Sequence, residues 1–289
     1  MLTCSRLRFM SFPAGERHCR TVTHQGDSAV FMSYEGSQDL IDMMMAADAL
    51  KSAGITPELF MPYFPCARQD RRTEDGEAFG ASVIVNMIAA AGYQSLTVFD
   101  PHSDVIAALC DARNIKLKIL SQADMFQLAV FGAKSIKPKL PDNSVLTAPD
   151  AGAVKKTQML AERFMNEPRI AYGTKSRDTI LGRIATGPVL DPYGYLPSAE
   201  HIYIADDICD GGATFTMLAD RLKPLAPNAS LTLYVTHGIF TKGLELLINA
   251  GFDRVCCAHL MNSKIGSVGE IYNYPEDVHR LPTWISSQH

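Results

Sequence analysis

Short apolar segments recur along this chain at residues 96–99, 145–148, 202–205 and 231–235, and each runs into small or polar residues. Stretches with helical periodicity lie around them, at 37–52, 80–91, 153–166, 214–222 and 241–250. A strand that is apolar on both faces must be covered on both faces, which is the environment of a parallel sheet between helical layers. The expected fold class is therefore α/β, with mainly parallel sheets flanked by helices. Two halves are expected, at 1–121 and 122–265, followed by a polar tail at 266–289 with little periodicity. Residues 132–143 hold three Lys and two Pro and read as a loop inside the second half.

Such a fold fixes where chemistry is sought, because ligands of open α/β sheets sit beyond the carboxyl ends of the strands. Three of those ends carry Asp: Asp100-Pro101-His102-Ser103-Asp104, Pro149-Asp150-Ala151-Gly152, and Asp206-Asp207-Ile208-Cys209-Asp210. Acids repeated at strand ends suit a cation and a polar ligand. The net charge of −4 is spread without a basic block, so nucleic acid is not the expected partner, and any phosphate must be held by local groups. The seven cysteines are odd in number and none is spaced as C-x-x-C, which argues against a zinc site or a disulfide framework. No run of 18 apolar residues is present, and the N-terminal stretch reads as no secretory signal, so no membrane and a cytoplasmic location are expected.

Residues 201–214 read HIYIADDICDGGAT. An apolar strand meets two acids, then a small-residue turn, then a helix start. Such a turn can aim successive backbone N–H groups inward, the helix adds its positive N-terminal end, and Thr214 adds a hydroxyl. Asp206 and Asp207 can accept hydrogen bonds from sugar hydroxyls. The same residue types also suit a polar strand-to-helix turn with a capping Asp.

This segment resembles the phosphoribosyl pyrophosphate loop shared by phosphoribosyltransferases and ribose-phosphate pyrophosphokinases. The resemblance implies that Asp206, Asp207, Asp210, Gly211, Gly212, Ala213 and Thr214 bind ribose 5-phosphate. The family pattern ends Asp-Thr-Gly-Gly-Thr, so Ala213 stands where Gly is usual. If that position needs a positive φ, Ala costs about 1 kcal/mol; if it needs only a free N–H, nothing is lost.

Further segments resemble the pyrophosphokinases alone. Residues 61–72 read MPYFPCARQDRR, similar to the family's Pro-Tyr-x-x-x-x-Arg-Gln-Asp-Arg block, which implies that Arg68, Gln69 and Asp70 bind ATP. By residue type alone, with Arg71 and Arg72 following, this segment reads as a solvated basic loop. Residues 97–104, TVFDPHSD, resemble the family's Asp-Leu-His motif, and His102 is implied at the ATP phosphates and the metal. Residues 145–152, VLTAPDAG, resemble a Ser-Pro-Asp-x-Gly-Gly stretch that makes Asp150 a magnesium ligand; a helix N-cap is the other reading of that Asp. Residues 171–182, AYGTKSRDTILG, resemble a catalytic loop with a Lys-x-Arg pair, here Lys175 and Arg177, with Arg177 also implied at ribose 5-phosphate. A fifth segment, Thr236-His237-Gly238-Ile239-Phe240, resembles Thr-His-Pro-Ile-Phe.

The resemblance spans residues 12–240 in family order. It implies two phosphoribosyltransferase-like halves, ATP bound by the first and ribose 5-phosphate by the second, Mg2+ as cofactor, and a product feeding nucleotide and NAD biosynthesis. Phe12 and Glu16 match the family's Phe-x-Asp-Gly-Glu stretch, with Ala14 in place of Asp. That stretch implies a homo-oligomer, dimer or hexamer, whose ATP site is shared between subunits. A first strand–helix unit before it is expected to be missing or much reduced. The alternatives are a non-catalytic regulatory paralogue of the synthase and a phosphoribosyltransferase.

Overall fold

The computed structural model describes residues 2–23, 28–177 and 184–261. The tail expected at 266–289 lies outside the described residues. The chain divides into two compact units, Met1–Leu120 and Ser121–His289.

In the first unit, β1 (Leu2–Thr3), β4 (Ala29–Met32), β5 (Glu58–Phe60), β6 (Ser95–Phe99) and β7 (Lys116–Leu120) form one sheet in that order. β4 to β7 run parallel, and β1 lies antiparallel at the edge. The crossovers are α1 (Ser37–Ser52), α2 (Gly80–Ala91) and α3 (Val105–Asp111). Parallel neighbours taken in sequence with right-handed crossovers put all three helices on one face. There Val30, Met32, Leu59, Leu96 and Val98 are buried with Met43, Leu50, Ile84 and Ile88. The opposite face carries a row of rings, Phe31 to Phe60 at 5.4 Å and Phe60 to Phe99 at 5.5 Å between centroids. A separate antiparallel hairpin, β2 (Leu7–Ser11) with β3 (Arg17–Thr21), is clamped to α1 by Arg17, whose guanidinium donates to both oxygens of Asp42 at 2.8 and 2.5 Å. No strand–helix unit precedes this hairpin among the described residues.

In the second unit the sheet order is β9 (Ile170–Tyr172), β8 (Ser144–Ala148), β12 (His201–Cys209), β13 (Ser230–Gly238) and β14 (Arg254–Leu260), all parallel. The chain leaves β8 for β9 on one side and returns to β12 on the other, so the order reverses between β8 and β12. Crossovers in opposite directions place their helices on opposite faces. α5 (Val154–Phe164) covers one face beside α4 (Gln122–Phe126), which runs on into a π-helical turn at Gln127–Phe131; here Phe126 packs on Phe164 at 5.2 Å and on Tyr234 at 4.9 Å. α6 (Ala213–Leu222) and α7 (Glu245–Asn249) cover the other, where Ile202, Ile204, Leu218, Leu233 and Leu247 are buried together. A small hairpin, β10 (Lys175–Arg177) with β11 (Ile184–Thr186), follows β9.

Two expectations change. β12 runs through the acid pair to Cys209, so Asp206 and Asp207 sit on the strand and not after it. The helix expected over 241–250 shrinks to Glu245–Asn249, because Phe240 and Gly243 both take positive φ, of 47° and 76°. Among the described residues no helix is long and apolar enough to cross a membrane.

His237 and His259 face each other on β13 and β14, with Nδ1 to Nδ1 at 3.3 Å, and both are buried. Burial, helped by the charge His237 would carry, pushes His259 down to about 3. A histidine that binds its proton less well folded than unfolded takes stability away as pH falls from its unfolded value of about 6.5 towards 3. The urea midpoint of the second unit should therefore fall between pH 7 and pH 4.5. In His259→Gln that fall should be shallower, measured by tryptophan-independent far-ultraviolet circular dichroism.

Candidate functional site

The second unit gathers most of its chemistry where its strand order reverses. Ile204 of β12 pairs with Thr147 of β8. Three residues further along the chain stand Asp207 (204 to 207), still on β12, and Asp150 (147 to 150), just past the end of β8, so the parallel register brings both acids to the carboxyl side of the sheet. Asp150 accepts from the backbone N–H of Gly152 at 2.9 Å and of Ala153 at 3.3 Å, which caps the 3₁₀ turn Ala151–Ala153 leading into α5. The capping reading of Asp150 is thus realised. The Asp206 carboxylate accepts from the N–H of Asp207 at 2.9 Å. Burial holds the Asp206 carboxyl well above the ordinary carboxylate range, and the negative charges of Asp207 and Asp150 push it the same way.

After β12 the chain turns through Asp210 and Gly211 into α6. Gly212 is the residue with left-handed backbone, φ 77°, and it caps the helix. Ala213 is the first helical residue and has no positive φ. The alanine that departs from the family pattern therefore meets no backbone strain. The first intrahelical bonds are those from Phe215 and Thr216 to the carbonyl of Gly212. The N–H groups before them are those a helix start leaves without an intrahelical partner, and Thr214 follows them on the first turn.

The turn is held by the neighbouring strand end. The N–H of Ile239 and of Phe240 donate to the carbonyl of Cys209 at 2.9 and 3.1 Å, and that of Thr241 to Asp210 at 3.0 Å. The Thr241 hydroxyl donates to the Asp210 carboxylate at 3.0 Å. Cys209, pushed up to about 12 by burial and by the acids around it, is an inert packing thiol. Sequence reasoning did not single out Thr241 or Lys242; their proximity to the turn comes from β12–β13 pairing, which no local signal encodes.

The backbone of Lys175–Arg177 is strand β10, paired with Ile184–Thr186. The base of that hairpin is closed by the Thr174 hydroxyl on the Pro188 carbonyl at 2.8 Å and the Gly187 N–H on the Thr174 carbonyl at 2.8 Å. The side chains of Lys175 and Arg177 lie outside what is described.

The first unit places its candidates at the carboxyl ends of β5 and β6. The ladder continues past β5 along the rest of β6, with the Met61 N–H on the Thr97 carbonyl at 2.9 Å and the Phe99 N–H on the Pro62 carbonyl at 3.0 Å. The loops carrying Arg68, Gln69 and Asp70 and carrying His102 thus leave one edge of one sheet. Arg68, Gln69 and His102 are exposed, and Asp70 is half-buried. Arg72 is committed locally: its Nε donates to the Glu77 carbonyl at 2.9 Å, and its guanidinium lies 6.0 Å from the centroid of Phe79. The Glu77 carboxylate closes the same turn by accepting from Thr73, which lowers its proton affinity. Asp100, before His102, is buried and takes φ 34°, a strained backbone of the kind found at functional sites. Sequence reading noted this Asp without assigning it a role. Phe12 and Glu16 close the tip of the β2–β3 hairpin, with the Phe12 N–H on the Glu16 carbonyl at 2.8 Å, and Phe12 is half exposed.

Among the described residues no three His, Cys, Asp or Glu side chains cluster closely enough to hold a metal by themselves.

Gly80, at the start of α2, lies against the Arg68 loop. A Cβ there would come within 2.9 Å of the Cys66 Cβ and 3.0 Å of the Gln69 Cβ, and would meet the Gln69 Oε1 as well. Gly80→Ala should therefore displace this loop and destabilise the first unit by about 1–3 kcal/mol, the usual cost of overpacking. A lowered urea midpoint with unchanged slope would show it.

Residues 3–92 match the sequence pattern of the N-terminal domain of ribose phosphate pyrophosphokinase. The chain is 25% identical to the ribose-phosphate pyrophosphokinase of Thermococcus kodakarensis, over 89% of this chain and 86% of that one. It is 28% identical to the enzyme of the same name from Mesorhizobium japonicum, over 82% of this chain and 76% of that one. The crystal structure of phosphoribosylpyrophosphate synthetase from Mycobacterium smegmatis superposes with a TM-score of 0.72 at 18% identity, covering 93% of this chain and 85% of that one, which shows the shared fold.

Proposed function

We propose that this chain, a member of the ribose-phosphate pyrophosphokinase family, moves the pyrophosphoryl group of ATP onto the 1-hydroxyl of ribose 5-phosphate, giving AMP and 5-phospho-α-D-ribose 1-diphosphate. The observation that carries the reading is the co-occurrence of two strand-end loops in one chain. The turn after β12 is a phosphate cradle beside carboxylates, and the loop after β5 carries Arg68-Gln69-Asp70, a block the phosphoribosyltransferases lack.

Residues 1–121 are assigned to the nucleotide and 122–265 to the sugar phosphate. Arg68 offers a planar fork that fits phosphate oxygens or stacks on adenine, with Gln69, Asp70 and His102 beside it at the same sheet edge. Ribose 5-phosphate sets its phosphate on Asp210, Gly211, Gly212, Ala213 and Thr214 and its ring hydroxyls on Asp206 and Asp207. The 1-hydroxyl attacks the β-phosphorus in line: a new C1–O–P link forms, the hydroxyl proton passes to water, the bond between the α,β-bridging oxygen and the β-phosphorus breaks, and AMP leaves. Lys175 and Arg177 supply positive charge to the transferring group. Phe12 and Glu16, on an exposed hairpin tip, reach the adenine of a neighbouring copy in a homo-oligomer, dimer or hexamer.

The donor set suits magnesium. Burial raises the proton affinity of Asp206 and the negative charges of Asp207 and Asp150 raise it further, a cost that a hard divalent cation beside it would offset, and magnesium needs only one or two carboxylates beside waters and substrate phosphates. Asp150 and His102 are the residues assigned to it; when bound, it neutralises phosphate charge. Seven free cysteines support a reducing, cytoplasmic setting.

Incubation with ATP, magnesium and ribose 5-phosphate should yield AMP and phosphoribosyl pyrophosphate in equal amounts, followed by chromatography. No product from any nucleotide, with ribose 5-phosphate still bound, would identify a regulatory paralogue. Pyrophosphate-dependent formation of a nucleotide from a base would identify a transferase. Lys175→Ala should cut turnover roughly 10²–10³-fold, the usual effect of removing one transition-state donor, while the ribose 5-phosphate Kd stays nearly unchanged. Equal loss of binding would remove that role from Lys175.

A further inference from the structure

We infer that Lys242, on the loop after β13, binds the phosphate of ribose 5-phosphate from the side of the cradle, as a residue outside the loop after β12. The inference rests on the assignment of Asp210, Gly211, Gly212, Ala213 and Thr214 to that phosphate.

Charge is the problem the cradle poses. The carboxylates around it repel an anion: Asp206 feels Asp207 and Asp150, and the Cys209 thiol feels both Asp206 and Asp210. A sugar phosphate carries close to two negative charges at neutral pH. Backbone N–H groups and a helix start supply only about half a positive charge between them. None of the side chains from Asp206 to Thr214 is a cation, and the chain as a whole is acidic, so no general field makes up the difference.

Lys242 is placed to supply it. The Thr241 N–H and hydroxyl both bind Asp210, which fixes the backbone next to Lys242 against the turn. The methylene stem then runs beside Gly211: its Cε and Cδ lie 3.6 and 3.8 Å from where a Cβ on that glycine would sit. The ammonium, one bond beyond Cε, is therefore carried to the rim of the turn. The side chain is exposed, and none of the ion pairs between described residues engages it.

Isothermal titration of the full-length protein with ribose 5-phosphate and, separately, with ATP tests the role in wild type, Lys242→Met and Lys242→Arg. Met keeps an apolar stem along Gly211 and removes the charge. Its Kd for ribose 5-phosphate should rise about tenfold, the scale of a lost charge-assisted hydrogen bond, with a flatter dependence on salt. Its ATP Kd should be unchanged, and Arg should restore most of the affinity. Ribose 5-phosphate binding by Lys242→Met equal to wild type would overturn the inference and leave the assigned reaction standing. Parallel loss of ATP binding would also overturn it, because the effect would then be structural. Wild type that binds no ribose 5-phosphate would instead overturn the assignment of the cradle, and Lys242 with it.

Discussion

The parallel pairing of β12 with β8 is the constraint on which the second unit depends. Parallel ladders hold a single register wherever both faces are buried, because a slip of one residue would exchange every inward side chain for an outward one. Ile202 and Ile204 point into the α6 core, while Tyr203 packs on Phe126 across the sheet. With that register locked, Asp206, Asp207 and Asp150 must stand together at the carboxyl end. Their mutual repulsion is imposed by core packing and not by the acids themselves. Because the chain departs from β8 and β12 in opposite directions, nothing in the connectivity closes over them, which is the geometric reason ligands collect at such reversals.

The first unit uses the same physics without a reversal. Its strands follow one another in order, so all its helices share a face and its loops leave one edge side by side. What brings the Arg68 loop and the His102 loop together is a continuation of the β5–β6 ladder through Met61, Pro62 and Phe99. Gln69 and Cys66 are then packed against the start of α2 so closely that only glycine fits at position 80. The strained Asp100 lies in the same stretch, and such a conformation persists only where its surroundings over-determine it.

The parallel α/β class was legible because it rests on a strong local signal, apolar runs alternating with helical periodicity. Helices α1 and α2 begin and end where the periodicity does, at Ser37–Ser52 and Gly80–Ala91. The shortest strands were not legible. β1, β5 and β9 have two or three residues each, too few to show any period, and exist because a longer neighbour supplies their hydrogen bonds. Lys116–Leu120 alternates Lys with apolar residues and reads as either strand or helix until β6 pairs with it. The site divides in the same way. Motifs contiguous in sequence, such as the acid pair and its glycine turn, could be read directly. Contacts made by pairing distant strands, such as Thr241 on Asp210 or the two histidines on β13 and β14, could not, because nothing near either partner specifies the other.

Ala213 shows how structure decides between readings that sequence leaves open. The turn needs one residue with left-handed backbone, and that need is met at Gly212; the following position needs only to begin a helix. Alanine is the best helix former and adds no polar group, so at the first helical position it is a conservative choice. Its methyl does not block the cradle by conformation, since the N–H groups that face the ligand precede the first intrahelical bond. The glycine that cannot be exchanged is therefore the one before it. The departure from the family pattern falls at the one place in the turn where backbone geometry tolerates a side chain, so this difference by itself gives no ground for reading the chain as a non-catalytic relative.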